Sequence, residues 1–349
     1  MSEPITHITQ VEIQQLWKEP ELNIKWNLHR DVNILAGDNG SGKSTILNVI
    51  LWSLLLNDTE LSRIGELVNR LSIKLHDKSN KPQEVRFRRF DGTIDELRNE
   101  AESDKNLRPS LYQITLRREK DFPWQIGTPV GLSYRSLNDE FVKIEEIRNL
   151  IQVYDITTFD PPLFPLESVQ KFTGEKRIKT HLDFLITELE KTYLDYQVEI
   201  GKLALKALSS DTDIEEVRQV NQQLNAKKNL FLDMMDELFG STQKTIDRDD
   251  NSISFIKRGK TKLSPYNLSS GEKQMLMILL TALVQNNKPA VMIMDEPELS
   301  LHTDWQEKLI NYIRQLNENV QIIIATHSPS IVINGWQDKV FEINDILVK

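Results

Sequence analysis

Asp31-Val-Asn-Ile-Leu-Ala-Gly37-Asp38-Asn39-Gly40-Ser41-Gly42-Lys43-Ser44-Thr45-Ile-Leu-Asn-Val-Ile-Leu-Trp-Ser-Leu-Leu-Leu56 decides how the rest of the chain is read. Gly37 to Ser44 fits the pattern G-x-x-x-x-G-K-[ST]. Asp31 to Ala36 reads as a short buried strand, and the run from Lys43 reads as a helix. A glycine-rich turn between strand and helix leaves backbone N–H groups unpaired and aimed at one spot. The positive end of the helix dipole points there too, so the turn suits a chain of phosphates. The residues that would cradle it are Asn39, Gly40, Ser41, Gly42, Lys43, Ser44 and Thr45. In this pattern Lys43 binds the β- and γ-phosphates and the Ser44 hydroxyl holds Mg²⁺. The expected ligand is a nucleotide with Mg²⁺.

A second stretch carries complementary chemistry. The apolar strand Val291-Met-Ile-Met294 ends in Asp295-Glu296-Pro297. A buried strand ending in two adjacent acids is what a Mg-nucleotide enzyme needs. Asp295 is the expected metal residue, through water, and Glu296 the expected general base for the attacking water.

Composition sets the class. The 349 residues carry a formal net charge of −9, with 39% hydrophobic and 27% charged residues and no cysteine. This excludes disulfides and thiolate metal sites, and it excludes a polycation that coats nucleic acid indiscriminately. The first residues, Met-Ser-Glu-Pro-Ile-Thr, show no basic segment followed by an apolar one, so no secretory signal is expected. The longest apolar stretches, Ile46 to Leu56 and Met275 to Val284, fall short of the ~20 residues that span a bilayer. A cytoplasmic protein without membrane insertion is the expectation.

Taken in order, Ile8 to Leu16 and Glu21 to Leu28 alternate apolar and polar residues, as antiparallel strands do. Glu66 to Leu75 is expected to be helical, and Glu84 to Phe90, Leu111 to Leu116 and Val153 to Phe159 to be strands. Phe122 to Ser136, rich in Pro and Gly, reads as loop. From Leu182, apolar residues fall at spacings of four and three: Ile186, Leu189, Tyr193, Tyr196, Ile200, Leu203 and Ala207. A second run follows with Val217, Val220, Leu224, Phe231, Met234 and Leu238, interrupted by Lys227, and Ser209 to Asp213 turns the chain between the two. Two antiparallel helices of about 25 residues, extending ~40 Å, are expected, either projecting or packed on the body. Thr242 to Lys262 reads as a hairpin with basic residues on its return. Then come a helix to Val284, the strand Val291 to Met294, a helix over Thr303 to Leu316, a strand over Gln321 to Ala325 and a last strand over Val340 to Ile346. This alternation implies an α/β architecture with a mostly parallel core sheet, an N-terminal antiparallel sheet and a helical-hairpin insertion. The expected division is 1–164 and 241–349 as two parts of one head, with 165–240 inserted.

Leu268-Ser269-Ser270-Gly271-Glu272-Lys273-Gln274, before the helix, and Thr326-His327-Ser328, after a strand, complete the set. With the phosphate loop and Asp295-Glu296 they resemble, in order and spacing, the ABC-type ATPase head. The resemblance makes residues 268–272 the signature motif, usually Leu-Ser-Gly-Gly-Gln, and His327 the switch histidine that contacts the γ-phosphate. Glu272 in place of Gln is similar to the SMC and RecF-like branch. Asp295-Glu-Pro-Glu-Leu-Ser-Leu-His-Thr-Asp-Trp-Gln306 and Ile323-Ile-Ala-Thr-His-Ser-Pro329 resemble the bacterial AAA/ABC-hybrid ATPases of anti-phage defence, the OLD-like, PARIS, Septu and Gabija ATPases.

The resemblance implies ATP hydrolysis, with catalytic Lys43, Glu296 and His327, and Ser269 and Gly271 lent to the ATP of a second copy. A homodimer or higher homo-oligomer with ATP between heads follows. OLD-type nucleases carry a C-terminal nuclease domain, whereas this chain ends at Lys349, soon after His327. The implied effector, a nuclease or toxin, is therefore expected to be a separate polypeptide or absent. DNA is the other implied partner, with Arg86, Arg88, Arg89, Arg117, Arg118, Lys120 and Lys257 to Lys262 as candidate contacts. A DNA repair clamp and the ATPase subunit of a transporter are the alternative readings. Transport ATPases stack adenine on an aromatic residue ahead of the loop, for which Trp17 and Trp26 are candidates. Two positions depart from the pattern. His302 stands where SMC-type proteins carry an Asp, and Gln113, Gln152 and Asp160 all remain candidates for the loop that senses Mg²⁺ and γ-phosphate.

Overall fold

The computed structural model describes residues 4–55, 58–80, 82–89, 130–136, 151–156, 178–208 and 214–348. The chain opens with β1 (Ile5–Gln14) and β2 (Ile24–Asn27), paired antiparallel, then β3 (Val32–Ala36), α1 (Lys43–Leu55) and α2 (Asp58–Leu67). β4 (Arg70–Asp77), β5 (Pro82–Arg89) and β6 (Val130–Ser136) complete an antiparallel sheet in the order β2-β1-β4-β5-β6. After β7 (Val153–Ile156) come the long helices α3 (His181–Leu208) and α4 (Ile214–Phe239). Three short strands follow, β8 (Lys244–Ile246), β9 (Phe255–Lys257) and β10 (Thr261–Leu263), as an antiparallel meander. The remainder is α5 (Ser270–Val284), β11 (Ala290–Asp295), α6 (Thr303–Leu316), β12 (Val320–Ala325), the single turn α7 (Pro329–Val332), β13 (Val340–Glu342) and the single turn α8 (Ile343–Ile346).

The second five-stranded sheet, β13-β3-β12-β11-β7, is parallel throughout. Its strands are apolar on both faces because they serve two cores, as parallel strands covered on both sides do. Leu35, Val291, Ile293, Ile323 and Ala325 pack with α1 and the antiparallel sheet. Ile34, Met292, Met294, Ile322 and Ile324 face α3, α4, α5 and α6. α1 is buried on nearly every side, filling the space between the sheets. The two sheets are pinned by one polar side chain. The β12 residue Gln321, fully buried, accepts from Ile8 N at 2.8 Å and donates to Ile8 O at 2.7 Å, where the β1–β4 register shifts.

Several sequence expectations need correction. Glu66 to Leu75 is not one helix, because α2 ends at Leu67 and β4 begins at Arg70. Leu71, Ile73 and Leu75 are buried at a spacing of two, a strand pattern that the preceding helical residues masked. The end of the Pro/Gly-rich stretch is β6, paired with β5, where Val130, Leu132 and Tyr134 alternate. Thr242 to Lys262 makes two hairpins, the second turning at Arg258-Gly259 with both residues at positive φ. Val340 to Ile346 is three residues of strand followed by a helical turn. The expected strand Leu111 to Leu116 and the turn Ser209 to Asp213 lie outside the described residues.

The helical pair is rooted in the body. Leu182, Tyr193, Tyr196 and Ile200 of α3, with Phe231, Met234, Met235 and Leu238 of α4, belong to the same core as the parallel sheet. Towards the far ends burial stops, and Leu205 is 66% exposed. Lys227, the residue that breaks the apolar seam, donates through Nζ to the Gln315 carbonyl in the last turn of α6. A cation suits that helix end. Phe231→Ala is expected to lower stability by about 3–5 kcal/mol and Leu205→Ser to change it by less than about 0.5 kcal/mol, measured by denaturant unfolding.

Candidate nucleotide site

Parallel pairing puts the carboxyl ends of three adjacent strands in one row, with Leu35 opposite Ala325 and Ala325 opposite Asp295. The loop after β3 leads into α1 there. Gly37, Gly40 and Gly42 take φ of 149°, 80° and 99°, conformations that favour glycine. At Gly42 space matters as well, since a Cβ would sit 2.7 Å from Cη2 of Trp17. Lys43 is almost fully buried, and its Nζ donates to the carbonyls of Gly37 (2.9 Å) and Asp38 (3.1 Å). It also lies 2.6 Å from His327 Nε2 and 4.0 Å from Glu296 Oε1. Ser41 Oγ, inside the loop, is buried without a partner.

Ser44, in the first turn of α1, donates to Asp295 Oδ1 at 3.0 Å. Burial raises the Asp295 carboxyl above its usual range, against the opposing pull of Ser44 and Lys43. Glu296 sits at φ 48°, rare for a residue with a side chain, and its N donates to Ala325 O at 2.8 Å. The bond extends the β11–β12 ladder by one step and swings the carboxylate toward His327, with Oε1 at 3.1 Å from Nε2. Burial, and then the neighbouring Glu298 carboxylate, push the Glu296 carboxyl up to about 7. Glu296 and His327 border a cleft of about 680 Å³ that Asp38, Asn39, Glu298, Leu299 and Ser328 also line.

The structure therefore brings Lys43, Ser44, Asp295, Glu296 and His327 together. It does not bring Ser269 and Gly271 to them. No hydrogen bond or ion pair among the described residues joins either one to the loop, Glu296 or His327. Ser269 is exposed and caps α5, its Oγ donating to Glu272 Oε2 (3.0 Å) while accepting from Glu272 N (3.4 Å). Buried Glu272 is held by Lys244 Nζ at 2.6 and 2.8 Å and by Thr242 at 2.9 Å. Gly271 is glycine for a steric reason, since a Cβ would meet the Ser300 carbonyl oxygen at 2.2 Å.

Other candidates sort themselves. Trp26 is fully buried in the core, whereas Trp17, 39% exposed, lies against the loop. Gln152 precedes β7, and its carbonyl accepts from Val291 N at the opposite end of the strands from Asp295. It cannot serve as the sensing residue, and Gln113 and Asp160 lie outside the described residues. His302 is exposed and caps α6, its ring accepting from Asp304 N at 3.4 Å. In the basic hairpin, Lys262 is paired with Asp247 and Asp250, and Arg258 donates to Gln243, leaving Lys257 and Lys260 exposed. Arg117, Arg118 and Lys120, and the side chains of Arg86, Arg88 and Arg89, are outside the described residues. Sequence reasoning missed Glu298, whose carboxylate meets Thr326, His327 and Ser328. The available signal was a third acid in Asp295-Glu-Pro-Glu298.

The family model described as "AAA domain, putative AbiEii toxin, Type IV TA system" matches residues 32–334. The chain belongs to this family. Among curated proteins it is similar to the "Retron Vc95 probable ATPase" of Vibrio cholerae serotype O1 biovar El Tor, 22% identical over 91% of this chain and 70% of the relative. It is also 22% identical to the "Retron Ec83 probable ATPase" of Escherichia coli, over 89% of this chain and 66% of the relative. The chain thus spans about two thirds of the length of these retron relatives. Its fold is that of an SMC head: it superposes with TM-score 0.53 on the SMC head in the "Crystal structure of the SmcHead bound to the C-winged helix domain of ScpA", 16% identical, over 94% of this chain and 91% of that one. It is an SMC/RecF-like ABC-type ATPase fold. No helix among the described residues is long and apolar enough to cross a membrane.

Gly271→Ala must push the Ser300 backbone away and is expected to cost about 1–3 kcal/mol. Gly240→Ala, where an added Cβ meets nothing within 4 Å, is the control, and thermal melting of both variants is the measurement.

Proposed function

We propose that this chain binds Mg-ATP at the loop between β3 and α1, hydrolyses it, and uses it to join two heads. The observation that carries the reading is the convergence of Lys43, Ser44, Asp295, Glu296 and His327 at one sheet edge. The residues fit the ligand. The loop ends at the N-terminus of a buried helix, a cation lies within it, and Ser41 Oγ has no protein partner. A hydroxyl and a carboxylate 3.0 Å apart are oxygen donors of the type Mg²⁺ takes. Mg²⁺ would be held by Ser44 and Asp295, and when bound it would neutralise charge on the phosphates. Lys43 would exchange its loop carbonyls for phosphate oxygens. Glu296, with a carboxyl near neutrality, suits the exchange of a proton with water. His327, touching both Lys43 and Glu296, would read the far end of the phosphate chain.

One head is incomplete on this reading. Ser269 is exposed, capped on a helix start and unconnected to its own loop, which supports its use by a second copy. ATP would then act as a latch between heads, opened by hydrolysis, with the rooted helical pair moving with its head. The retron relatives and the family description support a role in bacterial defence, either on DNA or in control of a separate effector, a nuclease or toxin. The SMC head fold supports the DNA-clamp variant of this reading. Phosphate contacts would make DNA binding fall steeply with salt.

Glu296→Gln is expected to bind ATP, hydrolyse it at least about 100-fold more slowly, and accumulate as a dimer in sizing runs with ATP. Lys43→Ala is expected to lose both ATP binding and the dimer. A Glu296→Gln protein that stays monomeric at saturating ATP would sink the latch.

A further inference from the structure

Glu298 is buried to 8% exposure at the end of the β11 turn, and its Oε1 collects three donors from three consecutive residues. These are the Thr326 hydroxyl, His327 N at 3.0 Å and Ser328 N at 3.2 Å. We infer that Glu298 is a positioning residue: its carboxylate oxygen clamps the 326–328 segment and thereby sets where the His327 imidazole stands between Lys43 and Glu296. The inference rests on the reading that this site hydrolyses ATP.

The clamp continues beyond the carboxylate. The Glu298 carbonyl accepts from Gln306 Nε2 (3.4 Å), whose Oε1 in turn accepts from Ser328 Oγ at 2.6 Å. Ser328 Oγ also caps α7 by accepting from Ser330 N at 3.2 Å. Both ends of the histidine segment are thus referred to Glu298, one by side chain and one by main chain. His327 N further donates to Glu296 Oε2 at 3.3 Å, a longer and therefore weaker branch of the same three-centre bond. Without Glu298 that N–H, the Ser328 N–H and the Thr326 hydroxyl lose their common acceptor, leaving His327 N to Glu296 Oε2 and Ser328 N to Thr326 Oγ1 at 2.9 Å. The imidazole would follow its backbone, and displacement of about 1 Å is enough to cost catalysis about 100-fold.

Reach and acceptor geometry, not charge, make the clamp, and three substitutions separate the two. Glu298→Gln keeps the reach and an acceptor oxygen, Glu298→Asp keeps the charge and loses the reach, and Glu298→Ala loses both. The expected result is at least about tenfold lower kcat for Asp and Ala with KM for ATP nearly unchanged, while Gln, which also removes the charge beside Glu296, is read by amide exchange rather than by turnover. Amide exchange at His327 and Ser328, measured without nucleotide, is expected to quicken in Asp and Ala and to stay protected in Gln, with the rest of β12 unaltered.

Fast exchange in Gln with protected exchange in Asp would mean that charge, not reach, holds the segment, and the clamp would be wrong. It would be equally wrong if Asp or Ala matched wild type in both turnover and exchange, or if exchange rose across the whole parallel sheet. Should Glu298→Ala fail to fold, the Gln and Asp pair decides the question by itself. Absence of hydrolysis by the wild-type protein would overturn the ATPase reading instead, while amide exchange still tests the clamp.

Discussion

Parallel hydrogen bonding of β3, β12 and β11, with both faces of the strands buried, is the constraint from which the candidate site follows. In a parallel sheet all strands end on the same side. The loop after β3, the acids after β11 and the histidine segment after β12 therefore open onto one edge, although Lys43 and His327 are far apart in the chain. The cores on either side hold that edge still: α1 and the antiparallel sheet on one face, α3 to α6 on the other. The site's short contacts, Lys43 to His327 and Ser44 to Asp295, are consequences of this register.

The segment Leu268 to Gln274 belongs to a different part of the same frame. Two successive residues of α5 make buried ion pairs of opposite sense, Glu272 with Lys244 just after α4, and Lys273 with Asp183 in the first turn of α3. Tyr266, just ahead of the segment, donates to Glu190 at 2.9 Å and meets Thr187 at 3.0 Å. Both roots of the helical pair are thus bonded to the helix that Ser269 caps. Partners removed singly from such pairs leave a buried charge, so these contacts strongly specify how helix and insertion sit together. They explain why a pair of long helices, able by periodicity to stand alone, is anchored at its base.

The relatives agree with the architecture at two levels. The SMC head likeness concerns the arrangement of sheets and helices, at an identity too low to carry chemistry. The family match spans nearly the whole region from β3 to the turn beyond α7, and so includes every residue of the candidate site outside the described gaps. The retron relatives are longer than this chain, and what their additional length does is not transferable to it.

The sequence by itself determined the glycine-rich turn between β3 and α1, the strand ending in two acids, the serine-capped start of α5 and the parallel α/β character. Each of these is a local pattern: glycine spacing, an apolar strand ending in acids, a helix start with a capping serine. It misread β4, β6 and the last strand, where short alternating runs stand next to helical or glycine-rich neighbours and only pairing with a partner strand decides. The role of Glu298 was also invisible, because an acid three residues after Asp295 says nothing of the backbone N–H groups that come to it from residues 327 and 328. Tertiary structure alone decided that Trp26 is core and Trp17 lies on the loop, that Gln152 is at the wrong end of its strand, and that Lys262 is already paired. Such outcomes depend on which strand ends share an edge, and that is set by long-range register rather than by any stretch of neighbouring residues.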